Sequence, residues 1–133
     1  MARIDWAVAC DHAFLDCQER LCLIGVLRSV AAPMLPMALP QVTLVARLAD
    51  IQPVDEIDVA VGMVTPSGVH AGRIGSPSVR IEMAREYVLA TFREVTVTEE
   101  GIHHFQVRLR GQPIVSLGLP VVAAHEVTAS RVQ

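Results

Sequence analysis

The chain has no lysine and no asparagine, and all eleven of its basic residues are arginines. Without lysine there is neither a Schiff-base amine nor a P-loop, and without asparagine there is no Asn-Gly hairpin turn and no N-glycosylation site. Aromatic residues make up only 4% of the chain, so any core it builds is aliphatic. Charge is sparse as well. A formal net charge of −3 on 133 residues provides no basic face to displace counterions from a phosphate backbone, which argues against nucleic acid as a partner. Cysteine is limited to Cys10, Cys17 and Cys22. The number is odd and the spacing fits no zinc or redox motif, as expected of reduced thiols that behave as small hydrophobes.

Targeting and membrane signals are missing too. Met1 to Trp6 shows no basic stretch leading into a long apolar one, which predicts a protein without a signal peptide, in the cytoplasm. Ser29 to Ala46 is uncharged and long enough for a span, but Pro33, Pro36 and Pro40 would break a membrane helix repeatedly. No membrane association is expected.

What the chain does have is alternation. Phe105, Val107 and Leu109 alternate with His104, Gln106, Arg108 and Arg110, and after a break at Arg110-Gly-Gln-Pro113 the pattern resumes through Val115, Leu117, Leu119 and Val121. That period of two describes a β-hairpin with one apolar face. The same period runs through Ile4, Trp6, Val8 and Cys10, through Val42, Leu44, Ala46 and Leu48, and through Ile57, Val59, Val61 and Met63. Asp16 to Arg20 and Thr65-Pro-Ser-Gly68 read as turns. Leu21 to Leu27 is apolar on both sides, the mark of a strand buried twice or bulged, and Gly25 sits where a bulge would. The segment from Ala32 to Pro40 reads as an extended crossover between sheets and as a poor central strand. Ser78 to Val95 can be read two ways. A short helix over 79–93 would follow Ser76-Pro77, whereas Val95-Thr-Val-Thr98 favours strand. Together these segments predict one domain over residues 1–133, an all-β antiparallel sandwich of about seven to nine strands. A domain of this length buries enough surface to fold without disulfides or metal.

Two stretches resemble a known family taken together: the opening Ala9-Cys-Asp-His-Ala-Phe-Leu-Asp-Cys-Gln-Glu-Arg-Leu-Cys-Leu-Ile-Gly25, and the closing Gly101-x-x-x-Phe-x-Val-x-Leu-x-Gly111-x-Pro. They are similar to a family of small bacterial β-sandwich proteins of unknown function. The family commonly has an aromatic residue two positions after the first glycine of the closing hairpin, where this chain has His103. The resemblance implies a sandwich and brings no activity with it.

Candidate chemistry is thin. Cys10-Asp11-His12 gathers a nucleophile, an acid and a base, and on a regular strand Cys10 and His12 would share a face roughly 6 to 7 Å apart. The competing reading buries Cys10 in the core and leaves Asp11 to bond nearby backbone. His103 and His104 face opposite ways on a strand unless Gly101 bulges, while His70 and His125 stand alone, so no metal site is expected. Asp50, Asp55, Glu56 and Asp58 crowd one strand entry without calcium-loop spacing. Met34, Leu35, Met37 and Leu39 are large apolar residues on a backbone that prolines hold extended. They are the candidate partner-binding residues, or else a cap over the open end of the sandwich. Pro120 suggests an edge in the last strand. No cofactor fingerprint is present. The expectation is a non-catalytic module that binds a protein partner or itself, with a homodimer favoured. The competing functions are a metal-binding or hydrolase-like protein using Cys10, Asp11 and His12, and a sandwich that binds an apolar ligand.

Overall fold

The computed structural model describes residues 2–52, 58–71 and 79–123. Its strands in chain order are β1 (Arg3–Leu15), β2 (Leu21–Val26), β3 (Val30–Ala32), β4 (Met37–Ala49), β5 (Val59–Val64), β6 (His70–Ala71), β7 (Val79–Ala84), β8 (Tyr87–Val97), β9 (Gly101–Leu109) and β10 (Val115–Ala123). They form two five-stranded sheets, ordered β2-β1-β4-β8-β7 and β3-β10-β9-β5-β6. Every pairing is antiparallel except β3 with β10. The expected sandwich is therefore present, with nine strands of three residues or more plus the two-residue β6. No described residue is helical, and no helix is long and apolar enough to cross a membrane.

The helix considered over 79–93 is instead the hairpin of β7 and β8, turning at Arg85 with a φ of 58°. The β-branched content of β8 and the inward sequence Val88, Ala90, Phe92 outweigh the helical stripe, because each of these side chains meets the opposite sheet. The crossover between sheets falls where the prolines placed it, between β3 in one sheet and β4 in the other. Met37 to Pro40 nonetheless belong to β4, one of the longest strands. Proline is accommodated because β1 pairs with β4 only as far as Thr43, which leaves this half of the strand open on one side. A similar geometry surrounds Pro120. β10 lies between two strands, but β3 reaches only Val121 to Ala123, so Pro120 sits on an open half.

The main core lies between the sheets. Val42, Leu44, Ala46 and Leu48 of β4 and Val88, Ala90 and Phe92 of β8 face Phe105, Val107, Leu109, Leu119 and Val121. Phe92 and Phe105 meet edge to face at 5.2 Å, so two of the chain's few aromatics lie at its centre.

A second buried cluster lies on the opposite side of the first sheet, where a two-layer sandwich would be wet. Cys10, Val45 and Leu89 are buried there, and Ala13, Leu21, Leu23, Val8, Ala84 and Tyr87 pack on them. The cover is the end of the β1–β2 hairpin, folded back over the sheet. β1 leaves β4 after Cys10 and continues with β2 alone. Gly25 takes a φ of 67° opposite this bend, and the Asp11 carboxylate occupies the place of its missing side chain, 2.4 Å from where a Cβ would stand. From Cys10 back to Trp6 is roughly 13 Å of strand, and the arm from His12 to the turn at Asp16 is about as long. The turn thus arrives at the far end of the sheet, where Glu19 pairs with Arg85. The hydrogen bond from Arg85 holds the Glu19 carboxyl below its usual range, so this contact is present at neutral pH and is lost as acid protonates Glu19. Within the turn Asp16 accepts from the Gln18 and Arg20 amides, both at 2.9 Å, and from Arg20 Nε.

This third layer gives a direct test. Truncating Leu89 to alanine is expected to cost about 2 to 4 kcal/mol in urea unfolding, the penalty of a true core position. A cost below about 0.5 kcal/mol, typical of a surface position, would show that the hairpin does not seal this face.

Candidate functional site

The residues singled out for chemistry do not converge. Cys10 is completely buried, and its thiol lies against the carbonyls of His12 at 3.4 Å and Thr43 at 3.6 Å. Burial, with a smaller push from the Asp11 charge, raises its pKa and keeps it a thiol. His12 is exposed on the other side of the hairpin. The expectation that the two share a face fails because the alternation slips at the bend: Ala13, not His12, turns inward beside Cys10. Asp11 serves the bend itself, accepting a 3.0 Å hydrogen bond from Gln41 on its carbonyl.

The histidines of β9 do face opposite ways. His104 points outward, and its Nδ1 lies 3.2 Å from Ser116 Oγ. His103 points inward and is 2% exposed, with neither ring nitrogen partnered. It borders a narrow apolar gap together with Leu39, Met63, Val95, Val97, Phe105, Leu119 and Val121, too tight to admit a water. Above it, Gly101 has a φ of 119° and Pro66 packs 3.0 Å from where its Cβ would be. The Ser67 amide donates to Glu99 at 2.8 Å, which lowers the Glu99 pKa.

Asp50 is ion-paired with Arg3, and Asp58 contributes its carbonyl to the Arg110 amide. Asp55, Glu56 and His125 lie outside the described residues. No group of three potential metal ligands occurs among the described residues. Of the proline-segment candidates, Leu35, Met37 and Leu39 are half-buried against the main core, while Met34 is 72% exposed.

The sequence pattern missed the outward face of the folded hairpin. Phe14, Ile24 and Val26 are exposed there, and the His12 ring rests on Phe14 with centroids 5.6 Å apart. The rungs His12–Ile24 and Phe14–Cys22 set these side chains side by side. A family of unknown function (DUF6941) matches residues 5–122, a span from within β1 to within β10 that contains this hairpin. The chain belongs to that family. No curated protein and no solved structure matches it. As a member of the family the chain gains no assigned chemistry, so its own geometry carries the functional argument.

The unpartnered ring of His103 yields a prediction. Replacing it with leucine removes two unpaired polar groups from apolar surroundings and is expected to raise stability by about 1 to 2 kcal/mol in urea unfolding. A loss of stability would mean that the ring has a polar partner in solution.

Proposed function

We propose that this protein is a non-catalytic interaction module, and that its contact element is the β1–β2 hairpin. One observation carries the reading. Phe14, Ile24 and Val26 gather on the outward face of one hairpin, while Cys10 is buried away from His12 and no three potential metal ligands gather among the described residues. Exposed apolar side chains that adjoin mark contact surfaces more often than scattered ones do. The module is placed in a reducing compartment such as the cytoplasm, a reading supported by Cys10, Cys17 and Cys22 all being free thiols. The small net negative charge favours a protein partner over nucleic acid.

A photoreactive residue introduced in living cells tests this reading. At position 24 it is expected to give a discrete protein adduct, and at Ile114, equally exposed but in the connection between β9 and β10, none. No adduct from positions 14 and 24, or equal adducts from 114, would overturn the proposal.

A further inference from the structure

His103 stands between the sheets with no partner for either ring nitrogen. The side chains around its gap come from Leu39 of β4, Val95 and Val97 of β8, Met63 of β5, Phe105 of β9, and Leu119 and Val121 of β10. None of them titrates or donates a hydrogen bond, and no water fits among them. A clamp closes this end of the sandwich. Gly101, at a φ of 119°, lets Pro66 settle 3.0 Å from the point where a Cβ would stand. The Ser67 amide donates to Glu99 at 2.8 Å, which fastens the turn at 65–68 to the turn that leads into β9. Two charges lie on that second turn. Glu100 is exposed, and Glu99 is near enough that a charge on His103 favours its ionised form.

We infer that His103 makes this end of the sandwich acid-sensitive: its ring takes up a proton only when the turn at 65–68 lifts and the imidazolium meets the Glu99 carboxylate. This device lies away from the hairpin contact and does not depend on it. Charging the ring where it stands would leave an unpaired cation in apolar surroundings, which folded chains avoid by moving or neutralising the group. Lifting removes that obstacle. Glu99 then exchanges the Ser67 amide for the imidazolium, and water reaches the ring. An imidazole in water takes its proton near pH ~6.5 and a carboxyl takes its own only near ~4.3, so between these values the lifted form holds an ion pair that the closed form cannot make. Lifting binds a proton and is therefore favoured as the pH falls. Stronger acid acts on the clamp as well. The Ser67 amide holds the Glu99 carboxyl below its usual range, so the stability of that contact is lost once acid protonates Glu99. The lifted form exposes the apolar lining of the gap, Met63 and Phe105 included.

Native-state hydrogen exchange of the full chain at pH 7.5 and 5.5, corrected for intrinsic exchange rates, tests the inference. In the wild type the opening constant of the amides between Gly101 and Phe105 is expected to rise ~tenfold on acidification, the ratio set by one proton bound near pH ~6.5 in the lifted form. The amides of Val107 and Leu109, at the far end of β9, should keep their protection. His103→Leu should abolish the rise, whereas His104→Leu, on the outer face of the same strand, should retain it. If His103→Leu fails to fold, His103→Met takes its place. A wild type without the rise, or a rise that survives in the His103 variant, overturns the inference. So does a rise shared equally by Val107 and Leu109, which would report unfolding of the whole sheet and not the lifting of one end.

Discussion

The fold depends on the burial of β4 on both faces. Val42, Leu44 and Ala46 point into the space between the sheets, and Val45 points the other way, yet all are fully enclosed. One sheet-on-sheet contact can cover only the first set. The hairpin fold-back at Asp11 and Gly25 covers the second, using Leu21 and Leu23 as the lid over Cys10, Val45 and Leu89. At roughly 25 cal/mol for each Å² of apolar surface removed from water, covering several aliphatic side chains outweighs any exposed ion pair. The Glu19–Arg85 contact therefore sets where the tip lands, and the leucines hold it there.

The third layer also explains the exposed apolar face. A hairpin lying on a sheet has two faces, and its odd-numbered residues are committed to the cover. Phe14 and Ile24 are turned outward as the geometric consequence. In a chain this short of lysine, few charges are available to mask such a face.

Much of the sandwich was legible in the sequence. The period of two gave β9, β10, β4 and β5, and the turns at Asp16 to Arg20 and Thr65 to Gly68 fell where their residue types put them. Ser78 to Val95 was ambiguous because Ile81, Val88 and Phe92 satisfy both periods, and tertiary contact with Phe105 decides between them. The fold-back was not legible. Alternation tells which side chains share a face, but not that one strand end will bend over its own sheet and swap the face of Cys10 relative to His12. Gly25 was the visible clue, read as a bulge and in fact opposite the bend. His103 falls on the inward side of β9, as its alternation with His104 implies. The proline segment was readable as a crossover, though not as the start of β4, because the departure of β1 that makes Pro40 tolerable is itself part of the fold-back.

The central claim is that the hairpin end lies on the outer face of the first sheet. Nuclear Overhauser contacts between methyl groups test it most directly. The structure predicts cross-peaks from Leu21 and Leu23 methyls to those of Val45 and Leu89. Leucine methyls at positions 21 and 23 that see only their own hairpin would contradict it.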